Sequence, residues 1–84
     1  MERDNIAVQN IETKLIVKRI KKIIKEQGNN LTAYKIAKRG NLETSTLNKI
    51  LDGTNKDVKL STIGKICKGL NISLKSFFAD DLFD

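Results

Sequence analysis

Histidine, proline and tryptophan are absent from this 84-residue chain, and cysteine occurs once, as Cys67. A single thiol excludes an intrachain disulfide, and without histidine it cannot supply the ligand set of a structural zinc site. Lack of histidine also removes the usual general base, so no Ser–His or Cys–His nucleophilic pair can be assembled. A glycine-rich phosphate loop of the G-x-x-x-x-G-K type is missing as well. The chain is therefore expected not to be an enzyme, and to hold neither a metal nor another cofactor. No apolar run approaches the ~18 residues of a membrane-spanning helix. The opening Met1-Glu2-Arg3-Asp4-Asn5 lacks the basic-then-apolar profile of a secretion signal. The expectation is a cytoplasmic protein with no membrane partner.

Alternating Val/Thr/Tyr runs bounded by Asn-Gly or Asp-Gly turns are also lacking, which argues against hairpins. Present instead are aliphatic residues at helical spacing, so the expected fold class is all-α. Hydrophobic residues make up 39% of the chain, enough for the modest core of one small domain. Residues 1–10 are polar and without sustained periodicity, and are read as a flexible N-terminal arm. Residues 11–79 are read as the folded domain and 80–84 as an acidic C-terminal tail.

From Glu12 to about Gln27, the residues Ile16, Ile20, Ile23, Ile24 and Gln27 make one stripe, with Lys14, Lys18, Lys21, Lys22 and Lys25 largely off it. Gly28-Asn29-Asn30 stops that helix. A second segment, Leu31 to Arg39, turns Leu31, Ile36 and Ala37 inward and ends at Gly40-Asn41. A third, from about Thr44 to Leu51, carries Leu47, Ile50 and Leu51 and stops at Asp52-Gly53. Beyond the polar linker Thr54-Asn55-Lys56-Asp57, Ser61 is a plausible N-cap for a fourth helix with Ile63, Ile66, Cys67 and Leu70. Asn71 stops the fourth, and Ser73 can cap a last piece with Leu74, Phe77 and Phe78. Cys67 falls within an apolar period and reads as a core residue. The second and third helices have only about two turns each. Helices that short are marginal alone, so they must hold each other in place. A rigid pair with a tight joint is the architecture of a helix-turn-helix.

The run from Leu31 to Gly53 resembles the Cro/repressor-like helix-turn-helix family, the xenobiotic-response-element (XRE) type of transcriptional regulator. Ala37 is the small residue where the two helices cross, Leu42 sits in the turn, Leu47 and Ile50 face inward, and Gly53 ends the second helix. The run from Leu60 to Phe78 resembles the family's two closing helices, and the likeness covers roughly residues 16–79. It implies a compact five-helix, lambda-repressor-like DNA-binding domain in which helices two and three form the helix-turn-helix. It also implies sequence-specific binding of double-stranded DNA by a recognition helix in the major groove, in a regulator that acts as a repressor.

Carried onto this chain, the base-reading candidates are Thr44, Ser45, Thr46, Asn48 and Lys49. Thr44 and Ser45 would lead into the groove, Asn48 would pair with adenine, and Lys49 would reach a guanine edge or a phosphate. Ser and Thr also cluster at helix starts as caps, and Thr44 is open to that reading. The phosphate candidates are Thr32, Tyr34 and Lys35 at helix two, and Asn55, Lys56 and Lys59 after helix three. Two positions depart from the family pattern. Ala33 stands where a phosphate-gripping Gln is common, and Glu43 where a small capping hydroxyl is common.

Charge is unevenly spread. The chain has 16 Lys+Arg against 10 Asp+Glu, a net charge of +6. Residues 12–39 hold nine basic and two acidic groups, whereas 40–59 balance at three against three. The lysines of helix one either steer the protein toward DNA through a long-range field or form an ordinary solvated face. One domain of this size covers about half an operator, so a homodimer is expected. The arm 1–10 or the segment Phe78–Asp84 would supply its contacts, or those of another protein partner. The competing reading is a protein-interaction module that kept the fold and lost DNA binding.

Overall fold

In a computed structural model, the described residues are 2–28 and 30–83 for the backbone, and 13–28 and 30–83 for side chains. Five helices follow one another: α1 (Glu2–Gln27), α2 (Ala33–Gly40), α3 (Thr44–Leu51), α4 (Leu60–Leu70) and α5 (Leu74–Phe78), then a 3-10 turn at Asp81–Phe83. Among the described residues there is no strand.

Helix α1 begins well before the expected start at Glu12. The segment read as an arm is helical along its backbone from Glu2, because residues 2–11 contain neither glycine nor proline to break the ladder. The side chains of 1–12 lie outside the described residues, as do Asn29 of the first stop signal and Asp84 of the tail. Downstream, the stops behave as their residue types dictate. Asn41 (φ 59°) and Asn71 (φ 62°) take the left-handed conformation, and each donates its backbone N–H to carbonyls of the preceding turn.

Helix starts follow the expectation only in part. Thr32 caps α2, its Oγ1 accepting the Lys35 N–H at 3.2 Å, so the helix opens at Ala33 and Leu31 packs half-buried ahead of it. Ser73 caps α5 through the Ser76 N–H at 3.0 Å. Ser61 does not cap α4. That helix opens at Leu60, with Lys59 at the N-cap and no side-chain cap bond. Packing sets its register instead: Ile63, Ile66, Cys67 and Leu70 are all buried, and the Ile63 N–H already reaches the Lys59 carbonyl at 3.0 Å.

The core is Ile16, Ile20 and Ile23 from α1, Ile36 and Ala37 from α2, Leu47 and Ile50 from α3, the four α4 residues, and Phe77 from α5. Burial of about a dozen such side chains is the main driving force for a domain of this size. Helices α2 and α4 approach each other backbone to backbone. A Cβ on Gly69 would lie 2.1 Å from the Ile36 carbonyl oxygen, and one on Gly40 would lie 2.1 Å from that of Lys65. Gly40, read from sequence as a stop, is the last residue of α2 and a seat for α4. The two contacts run in opposite chain directions, so α2 and α4 are antiparallel.

The chain end is pinned to α1. Arg19 donates from Nε to the Phe77 carbonyl (2.7 Å), from one terminal nitrogen to the Ser76 carbonyl (2.9 Å), and from the other to Asp80 Oδ2 (3.0 Å). Lys22 reaches the same carboxylate oxygen at 2.8 Å. One guanidinium thus satisfies the last carbonyls of α5 and anchors the following turn. Of the outcomes open for the tail, residues 80–83 pack: Phe83 lies against Phe77 and Phe78.

Candidate nucleic-acid interface

Helix α3 is short, so its orientation is set by what it buries. Leu47 and Ile50 are fully buried, Leu51 is half-buried, and Leu42 in the preceding turn is fixed by its N–H to the Ala37 carbonyl at 2.9 Å. With that face inward, Ser45, Asn48 and Lys49 are exposed and Thr44 and Thr46 half-exposed. Among the described residues, none of these five side chains makes a hydrogen bond or ion pair within the protein. The capping alternative for Thr44 fails, because Glu43 occupies the N-cap and Thr44 is the first helical residue.

Glu43 makes no side-chain cap bond. Its carbonyl opens the helix by accepting the N–H groups of Thr46 (3.1 Å) and Leu47 (3.2 Å), while its carboxylate is exposed.

The six phosphate candidates fall into two groups. Thr32, Tyr34 and Lys35 are exposed at the start of α2, where the Thr32 hydroxyl already serves as the cap. Tyr34 is 59% exposed, with the Lys38 ammonium 5.7 Å from its ring centroid, a cation–π distance. Lys38 was not among the sequence candidates, although its i, i+4 spacing from Tyr34 was the signal for it. The second group, Asn55, Lys56 and Lys59, lies on the loop between α3 and α4. That loop is tied back at two points: the Asn55 N–H donates to the Lys49 carbonyl (2.9 Å), and Thr13 Oγ1 donates to the Lys56 carbonyl (2.8 Å). Asn55, half-buried, accepts the Asp57 N–H on Oδ1 at 3.0 Å, and among the described residues its NH2 group makes no hydrogen bond. Lys56 and Lys59 are exposed. The loop group is thereby brought to the C-terminal end of α3, and no hydrogen bond among the described residues joins it to the α2 group.

Asp52, which follows α3, accepts the Thr54 N–H at 2.8 Å. Its carboxyl is held below the usual range by hydrogen bonds from Thr54 and, more weakly, by the charge of Lys49. On α1, Arg19 and Lys22 are committed to Asp80, whereas Lys14, Lys18, Lys21 and Lys25 are exposed. No described helix is long and apolar enough to cross a membrane.

Two short helices held at a fixed angle by a tight turn, with an unengaged polar face on the second, define a helix-turn-helix domain. A family model for the Cro/C1-type HTH DNA-binding domain matches residues 19–80, and the chain belongs to that family. No curated protein and no solved structure matches the chain.

Proposed function

We propose that this protein is a sequence-specific double-stranded DNA-binding regulator, acting as a repressor, whose α3 enters the major groove while α2 crosses the backbone. The observation that carries the reading is the outward face of α3, five polar side chains free of internal bonds on a helix locked by Leu47 and Ile50. In this reading Thr44, Ser45 and Thr46 lead into the groove. Asn48 offers a donor and an acceptor to adenine, and Lys49 meets a guanine edge or a phosphate. Thr32, Tyr34, Lys35, Asn55, Lys56 and Lys59 hold the backbone on either side. Two copies bind half-sites about 34 Å apart, and the homodimer draws its contacts from residues 1–10 or from Phe78–Asp84.

Salt dependence tests the reading. If Lys35, Lys49, Lys56 and Lys59 each neutralise one phosphate, log K should fall with log salt with a slope of about −3.6 per protomer. A flat response, or no retention of duplex at all, would favour the interaction module instead. The charge balance of residues 40–59 is the feature on that side. Sedimentation as a monomer both free and on DNA would remove the dimer.

A further inference from the structure

We propose that Glu43 is a specificity-determining residue whose carboxylate accepts a hydrogen bond from the exocyclic amine of a cytosine in the major groove. The inference rests on the DNA-binding reading above and adds to it one base and one side chain. Glu43 stands at the N-cap of α3 with extended backbone (φ −74°, ψ 138°), the conformation from which a short polar side chain folds back onto the first-turn amides. Thr32 and Ser73 do so in this same chain. Glu43, one methylene longer than Asp, does not, and among the described residues it pairs with no lysine or arginine. The position that would most readily stabilise α3 therefore presents a free anion at the leading end of the proposed recognition helix.

An ionised carboxylate only accepts hydrogen bonds, and close to phosphates it is repelled unless a donor meets it. The groove edges offer two such donors, cytosine N4 and adenine N6. Adenine places its N7 acceptor beside N6, opposing the second carboxylate oxygen. Cytosine carries no acceptor of its own in that groove. Glu43 thus favours cytosine and penalises every other base at its position, so discrimination comes from repulsion as well as attraction.

Selection from a random duplex pool, run in parallel with thermal melts, tests this with wild type, Glu43→Gln, Glu43→Ala and Glu43→Asp. Wild-type sites should carry cytosine at one fixed position of each half-site, preferred by roughly 10- to 100-fold. Glu43→Gln should move that position to adenine, since an amide pairs with N6 and N7 together. Glu43→Ala should leave it unspecified while the other positions stay as they were. Either change should lower Tm by at most a few degrees, because no cap bond is lost and only the carboxylate's interaction with the helix dipole goes. Glu43→Asp should raise Tm by about 4–8 °C, as the shorter carboxylate turns back onto α3, and should weaken the preference. If Gln and Ala variants select the same base as wild type at every position, the assignment of Glu43 is overturned while the DNA reading stands. If wild type retains no duplex, both fall.

Discussion

Two glycines on one helix should respond to the same substitution with opposite signs. At Gly69 an added Cβ would sit 2.1 Å from the Ile36 carbonyl oxygen and 2.8 Å from Ile36 Cγ2. The first distance is about 1.2 Å short of the ~3.3 Å at which a carbon–oxygen contact becomes tolerable. The obstructing atom is backbone, so no rotamer change relieves it, and α2 must separate from α4. Overpacking of this kind costs about 1–3 kcal/mol, and rigid neighbours place it at the upper end. The intrinsic gain of Gly→Ala in a helix returns at most ~1 kcal/mol. Gly69→Ala should therefore destabilise by a net ~2 kcal/mol, against a total of about 4–13 kcal/mol for a chain of this length. Tm should fall by about 8–16 °C. At Gly64, inside the same helix, an added Cβ meets nothing within 4 Å. Only the propensity term acts there, so Gly64→Ala should stabilise by ~0.5–1 kcal/mol and raise Tm by a few degrees. Thermal and urea unfolding followed by circular dichroism reads both variants without DNA. If both shift stability in the same direction, the α2–α4 contact is not what fixes the helix pair.

Three further outcomes follow from the packing and the interface. The Asp80 carboxyl is held below its ordinary range, first by the hydrogen bond from Lys22 and then by the Leu82 N–H. A depressed folded value means its stabilisation exists above the unfolded pKa of ~3.9 and is lost as pH falls through the lower folded value. Asp80→Asn should thus unfold at lower urea than wild type at pH 7, with the gap closing below about pH 4; a gap unchanged at pH 2 would refute the pairing. Burial pushes the Cys67 thiol up, so the folded protein should resist thiol reagents and label only at its opening rate. Rapid stoichiometric labelling in native buffer would contradict that. On a selected site Asn48→Ala should weaken binding by ~1–3 kcal/mol, whereas Lys56→Ala should weaken all duplexes alike and reduce the salt slope by about 1. Normal binding by both variants would mean that α3 is misplaced.

The legible parts of the sequence were those where one residue type has one physical use. Periodic isoleucines and leucines placed the core, and helix α3 spans Thr44–Leu51 as expected because Leu47 and Ile50 admit only one inward face. Asparagines at φ near 60° placed two later helix ends. The illegible parts depended on partners distant along the chain. Gly40 looks like any helix stop until α4 is laid against it. Arg19 looks like one more cation on a basic helix until Phe77, Ser76 and Asp80 arrive beneath it from the other end of the domain. Ser61 failed as a cap because buried α4 residues, not a hydroxyl, set where that helix begins. Of the interface, sequence supplied residue types and spacing; that Thr44 is not a cap, and that Glu43 is an N-cap residue without a cap bond, needed the coordinates.

The charge imbalance now divides by location rather than by count. Arg19 and Lys22 hold the chain end and share the one carboxylate of Asp80, which offsets one of their two charges. Lys14, Lys18, Lys21 and Lys25 remain exposed on α1, outside the proposed groove contacts, where an exposed charge reaches over about one Debye length, ~8–10 Å at physiological salt. Contact charge in the reading above comes instead from α2, α3 and the α3–α4 loop, where Glu43 opposes it. In the DNA-binding reading such a division would separate rate from selectivity: the α1 lysines would raise the frequency of encounter with any duplex, while a near-neutral recognition segment would keep non-specific affinity low. A recognition segment as basic as α1 would hold random DNA more tightly and narrow the margin by which a correct site is preferred.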